Sequence, residues 1–251
     1  MISCKNLSFS YSDSSQFGLN ELSLSIQKGE SVSIMGSNGS GKSTLAQCLN
    51  GLLIPNQGDV LVDGLNTTNQ EEIQNIRKKV GIVFQNPDNQ IVSTTVEREI
   101  AFGLENLKVD PDKMHANVNQ FLKVFNLEHF RNHSPNKLSG GEKQLLALAS
   151  VLAMAPSYLI LDEPTSLLDP FSRRMVLDYI FKKNKYPFQQ ITSILITQYP
   201  AETFYTDRLL ILSNGKILFD DNPDSVFKNS TKLCELGIGA PVEYLADPVF
   251  E

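Results

Sequence analysis

A glycine- and serine-rich run, GSNGSGKST, occupies residues 36–44 and matches G-x-x-x-x-G-K-[ST] through Gly36, Gly41, Lys42 and Ser43. Glycines at 36, 39 and 41 let a backbone curl until successive N–H groups point inward at phosphate oxygens. Lys42 is placed to neutralise the β- and γ-phosphates of a nucleotide, and the Ser43 hydroxyl is a hard oxygen ligand for Mg²⁺. Ser37, Asn38, Ser40 and Thr44 complete the run. A chance polar loop could hold the same residues, but the flanks argue against chance. The apolar stretch SVSIM precedes it, and KSTLAQCLNGLL follows with Leu45, Leu49 and Leu52 at helical spacing. Strand, loop and helix in that order put the positive end of a helix behind the phosphates.

A second cluster complements the first. YLILDEPTSLLDP, residues 158–170, reads as a buried strand delivering Asp162 and Glu163 at its C-terminal edge, where α/β sheets bind ligands. Asp162 suits a water-mediated contact to Mg²⁺, and Glu163 is placed to polarise an attacking water as general base. Adjacent carboxylates at a strand end are often only a solvated cap; the glycine loop upstream gives this pair its meaning. Between the two lies LSGGE, residues 138–142, ahead of the long apolar run EKQLLALASVLAMA. Ser-Gly-Gly is also a good turn and N-cap sequence.

The elements around these motifs follow from periodicity. ISCKNLSFSY and LNELSLSI alternate in strand fashion, DVLVDG is a short strand, and VGIVF (80–84) is a continuous apolar strand of parallel-sheet type. From Pro87 the texture turns helical, through TVEREIAFGLENL and DPDKMHANVNQFLKVFNL, the latter with Asp110 as N-cap and Pro111 behind it. YLIL, SILIT and RLLIL then return as strands around the helix RRMVLDYIFKK, and Asn214-Gly215 forms a hairpin turn. An α/β chain with a helical insertion is the simplest description. The 251 residues suffice for one large domain or two intimate subdomains, and net charge −6 argues against nucleic acid as partner. Cys4, Cys48 and Cys234 lack metal-ligand spacing and read as reduced thiols. No signal-peptide pattern opens the chain, and no apolar run approaches the roughly 20 residues a membrane span needs.

GxxxxGKST, LSGGE and LILDEPTSLLD, in this order, resemble the ATP-binding-cassette (ABC) ATPases over residues 2–221. The resemblance implies an ABC-ATPase fold with a RecA-like P-loop core and an antiparallel β subdomain, over 1–86 and 158–221. A helical subdomain would be inserted at 87–157, with a C-terminal appendage at 222–251. It also implies ATP and Mg²⁺ as ligands. Two such domains would pair head to tail, with Leu138, Ser139, Gly140, Gly141 and Glu142 of one acting in trans on the γ-phosphate held by the other. Gln85 matches the glutamine that reaches Mg²⁺ and senses the transport partner. Tyr11 matches the aromatic that stacks on adenine, although a core or turn tyrosine reads the same way. Asp169 matches the acidic residue of a loop crossing the dimer interface.

VFQNPDNQIVSTTVEREIAFGLEN, residues 83–106, resembles more narrowly the ATPases of energy-coupling factor (ECF) transporters, importers of vitamins and transition-metal ions. Asn86 to Gln90 and Ala101 to Asn106 carry the match; physically they are a loop and an amphipathic helix able to wall a groove for a partner's helix. Ile100, Phe102 and Leu107 read equally as core. ELGIGAPVEYLAD resembles the segment by which ATPases of that class associate. The expected partners are a second ABC ATPase, heterodimer before homodimer, a transmembrane scaffold and a substrate-binding membrane subunit. The chain would then sit peripherally on the cytoplasmic face of the membrane. The same motifs also suit the motor of another ABC transporter, or a soluble ATPase using ATP as a dimerisation clamp.

One position departs from the family. A histidine is expected after SILIT, and the chain has Gln198. His115, His129 and His133 all precede Glu163, so no small shift in alignment supplies one. A glutamine amide donates a hydrogen bond but neither becomes cationic nor returns a proton at neutral pH. Losing a transition-state contact of this kind costs on the order of 10²-fold in rate. A chain slow at its own site, completing a faster site on a partner, is the expectation; a Gln198 that substitutes adequately for the histidine is the alternative.

Overall fold

Secondary structure is laid out in a computed structural model that describes residues 1–11, 17–182 and 191–244. In chain order the first elements are β1 (Ile2–Ser10), β2 (Phe17–Ile26), β3 (Ser31–Met35), α1 (Lys42–Asn50), β4 (Gln57–Val62), β5 (Leu65–Asn66), α2 (Gln70–Lys79) and β6 (Val80–Val83). Three helices follow, α3 (Val96–Asn106), α4 (Pro111–Val124) and α5 (Gly140–Ala153), then β7 (Tyr158–Asp162), α6 (Pro170–Phe181) and β8 (Thr192–Ile196). The hairpin β9 (Arg208–Ser213) and β10 (Lys216–Asp221) leads to the short α7 (Pro223–Phe227) and α8 (Ser230–Glu235).

The strands separate into two sheets. A four-stranded sheet has the order β2-β1-β4-β5, each neighbour antiparallel. A six-stranded sheet has the order β10-β9-β3-β8-β7-β6, parallel except for β10 at its edge. The inner strands β3, β7 and β8 are buried along their whole length, which is why they read as unbroken apolar runs. The parallel register aligns the ends of β3, β8, β7 and β6, so the segments after all four emerge on one edge.

The helices after β6 pack mainly among themselves. Ile100, Leu104, Phe121, Leu122 and Leu148 are buried together, and the same cluster continues into Leu159, Leu161 and Leu195 of the sheet. Each helix is stopped and started by local chemistry. Thr95 caps α3, Asp110 caps α4 with Pro111 behind it, and Ser139 with Glu142 forms a capping box on α5. Phe102, which sequence allows as core, is instead exposed at 46% on the outer face of α3.

Two features differ from the sequence expectation. Leu52 is not helical: α1 stops at Asn50, because Gly51 adopts φ +72 and returns its N–H to Cys48 and Gln47 carbonyls. Periodicity also leaves α2 unseen, since Ile76 is its one buried residue. Its stability comes from the ends, where Asn69 caps, Glu71 and Glu72 occupy the first turn, and Arg77, Lys78 and Lys79 the last. The segment after β10 is anchored: Val226, Phe227, Leu233 and Ile238 pack against Met35, Leu209 and Ile211. Leu245, Ala246 and Asp247 of the association motif lie outside the described residues.

Candidate nucleotide site

The loop after β3 runs over the end of the parallel sheet and enters α1. Gly36 can only be glycine, since a Cβ there would sit 2.2 Å from the Leu212 carbonyl oxygen and 2.6 Å from Ser40 Oγ. Gly41 has φ +107, and a Cβ would meet the Gly18 carbonyl oxygen at 2.3 Å. As N-cap of α1, Gly41 brings no side chain to the first-turn N–H groups, so these stay available to an anion. The hairpin turn of β9 and β10 braces the loop from behind, the Gly215 N–H donating to the Ser40 carbonyl at 3.0 Å.

Lys42 is buried and donates to the carbonyls of Gly36 at 2.8 Å and Ser37 at 3.0 Å. Burial pushes its ammonium below the ordinary lysine range, while Glu163 and Asp162 oppose the shift. Burial likewise pushes the Asp162 carboxyl up, against a hydrogen bond from Ser43. Tyr11 stands at the other end of the loop, with its hydroxyl 3.1 Å from Thr44 Oγ1 and its ring edge-on to Phe9. Tyr11, Asn38, Gly39, Gly41 to Thr44, Gln85 and Glu163 line one cavity of about 470 Å³.

Glu163 closes the inner end. Its backbone has φ +48, an uncommon conformation for a residue with a side chain, costing about 1–3 kcal/mol and surviving only where neighbours over-determine it. Its N–H donates to the Ile196 carbonyl at 2.9 Å, which locks the turn after β7 to the neighbouring strand. Two glutamine amides bracket its carboxylate. Gln85 Nε2 donates to Oε2 at 2.7 Å, and Gln198 Nε2 donates to Oε1 at 3.0 Å. The same Gln198 nitrogen reaches Asn38 Oδ1 at 2.8 Å. Both amides present N–H₂, because a carboxylate offers acceptors only.

The remaining motif residues stand elsewhere. Leu138 is buried, whereas Ser139 and Gly140 are exposed and Gly141 and Glu142 partly so; none of the five lines the cavity. Glu142 Oε2 accepts both the Ser139 N–H at 2.7 Å and the Ser139 hydroxyl at 2.8 Å, so the hydroxyl must turn away before it can donate to an anion. Asp169 caps its own helix, accepting from Phe171 and Ser172 N–H groups; the Ser172 hydroxyl first, and then these N–H groups, hold its carboxyl below the usual range. Glu202, Thr165 and Thr197, which sequence reasoning passed over, form a buried polar cluster behind Glu163.

The family model described as ABC transporter matches residues 19–166. The energy-coupling factor transporter ATP-binding protein EcfA1 of Clostridium novyi (strain NT) is 42% identical over 244 residues, covering 96% of this chain and 86% of its own length. The chain belongs to the ABC transporter ATP-binding proteins, in the energy-coupling factor family. Two solved structures agree with this membership. One is cbiO1 from Clostridium perfringens, part of the ABC transporter complex cbiONQ, with TM-score 0.78 and 33% identity over 97% of this ECF ATPase and 96% of cbiO1. The other is the ATP-binding cassette MJ0796, a dimer in a post-hydrolysis state with ADP and Pi, with TM-score 0.81 and 29% identity over 89% and 99%. Among the described residues of this ECF ATPase, no helix is long and apolar enough to cross a membrane.

The residues present fit Mg²⁺ bound together with a nucleotide. Ser43, Gln85 and Asp162 offer hard oxygen donors. Among the described residues no group of three or more His, Cys, Asp or Glu could hold a metal without such help.

Proposed function

We propose that this chain is the ATP-hydrolysing subunit of an ECF-type importer of a vitamin or transition-metal ion, working as the slower half of an ATPase heterodimer. The bracketing of Glu163 by Gln85 and Gln198, at the inner end of the glycine-loop cavity, carries the reading. Tyr11 stacks on the adenine. Backbone N–H groups of 36–44 and the Lys42 ammonium hold the phosphates, and Ser43, Gln85 and Asp162 would hold Mg²⁺. The cation, when bound, draws negative charge off the phosphates. Glu163 takes a proton from the attacking water, for which each carboxylate oxygen keeps a lone pair beyond the one bonded to Gln85 or Gln198. Gln198 supplies a neutral donor where a histidine would supply a titrating one.

The site reads as incomplete within one chain, since none of Ser139 to Glu142 lines the cavity. A second ATPase brings its own copy of that segment, and this chain's LSGGE completes the partner's site in return, with Asp169 near the crossing. Leu52, Phe84, Phe102, Leu107 and Met154 wall a separate groove of about 660 Å³, suited to a helix from a transmembrane scaffold. The chain would thereby sit on the cytoplasmic face of the membrane, with a separate membrane subunit binding the cargo.

Purification of the solubilised complex, followed by single-turnover assays of each site, tests the reading. A membrane scaffold and a distinct second ATPase should accompany the chain, and its own site should turn over more slowly than its partner's. Recovery of the chain without membrane subunits, or equal rates at the two sites, would overturn the respective half of the proposal.

A further inference from the structure

Glu202 is 3% exposed, and none of the motifs that mark the site contains it. It lies in the 3₁₀ turn Pro200–Tyr205, just beyond Gln198. Its Oε1 accepts from Thr165 Oγ1 at 2.6 Å, and its Oε2 from Thr197 Oγ1 at 2.5 Å. Thr165 stands two residues after Glu163, and Thr197 immediately precedes Gln198. One carboxylate therefore joins the exits of β7 and β8, the strands that deliver Glu163 and Gln198.

The bonds around it leave little freedom. While its hydroxyl donates to Glu202, Thr197 Oγ1 accepts the N–H of Tyr199 at 3.0 Å. Arg173 of α6 places its Nε 3.7 Å from Glu202 Oε1 and its guanidinium 3.8 Å above the Tyr199 ring. Arg173 also donates to the Thr165 carbonyl at 3.4 Å. Glu163 holds a left-handed backbone that its own side chain does nothing to favour, so the segment after it needs fixing from outside. The Thr165 bond to Glu202 provides that on one side, as the Ile196 carbonyl does on the other.

We propose that Glu202 is a positioning residue for ATP hydrolysis, setting the Glu163 carboxylate against Gln198 and coupling both to α6. The inference rests on the reading of Glu163 as general base. A buried ion pair that served the fold alone would affect stability without separating turnover from binding. Displacing a reacting group by about an ångström costs up to 10²-fold in rate while leaving ground-state binding largely alone.

The test uses the complete complex, with the partner's general base disabled so that only this chain's site turns over. Glu202→Ala, Glu202→Gln and Glu163→Gln are compared by single-turnover hydrolysis, by affinity for a fluorescent ATP analogue and by thermal unfolding. Glu202→Ala should lower the hydrolysis rate about tenfold or more, with nucleotide affinity within about twofold of the parent. Glu202→Gln keeps the shape and one acceptor oxygen, so it should fold and give an intermediate rate. An unchanged rate in the glutamine variant, or affinity falling in step with rate, overturns the positioning role. If Glu163→Gln hydrolyses normally, the underlying assignment of the base has failed instead, and the proposal with it.

Discussion

Gln198 Nε2 donates to Glu163 Oε1 at 3.0 Å and to Asn38 Oδ1 at 2.8 Å, tying a strand-end carboxylate to the phosphate loop through one nitrogen. An amide holds that geometry at every ordinary pH. An imidazole in the same place would change charge near pH 6.5.

Gln198→His should therefore raise single-turnover hydrolysis at this chain's own site, by roughly tenfold or more. The variant should also acquire an inflection in its pH–rate profile near about pH 6.5 that the parent lacks. Rate measurements between about pH 5.5 and 8.5 check both outcomes.

Phe102 lies on the groove wall and is 46% exposed, so its replacement leaves the core untouched. Phe102→Asp should fold with unchanged stability and bind ATP normally. It should copurify less with the membrane scaffold, because a carboxylate replaces an apolar ring on the groove wall and must be desolvated when a helix docks.

Asp63 collects the Met1 ammonium, Tyr158, Lys79 and Lys28 around one carboxylate. Burial works against the charge, but these hydrogen bonds outweigh it and hold the carboxyl far below its usual range. The stabilisation is present above the unfolded-state value of about 3.9 and is lost as pH falls through the folded one. Asp63→Asn should lower the melting temperature at pH 7. The gap from the parent should persist to about pH 4 and close only in stronger acid.

Phe227 is fully buried against the strand that leads into the phosphate loop. Phe227→Ala should cost about 3–5 kcal/mol, measured by denaturant unfolding. Loss of ATP affinity beyond that expected from the unfolded fraction would show that the segment after β10 also supports the loop.

Several elements could be read without coordinates because their signals are local. Gly36 and Gly41, Asp110 with Pro111, and the Asn214-Gly215 turn declare themselves through backbone demands that few other residues meet. The buried strands β3, β7 and β8 show as apolar runs because both faces of the sheet are covered. α2 stayed hidden for the opposite reason: with Ile76 alone buried, end chemistry rather than periodicity sustains it. Phe102 was ambiguous, because an apolar residue on a helix reads the same whether it faces a core or an open groove.

The order and spacing of residues determined that this chain carries a glycine loop of the phosphate-binding pattern, ends a strand in Asp162 and Glu163, and has glutamine at 198. These are properties of contiguous sequence. Which groups touch Glu163 was decided only in three dimensions, where the parallel register of β6, β7, β8 and β3 brings segments far apart in the chain to one edge. Glu202 shows the division most plainly. In sequence it is one glutamate among many, and a glutamate is ordinarily solvated. Folding buries it between two threonines from different strand ends, whose hydroxyls both donate to its carboxyl group.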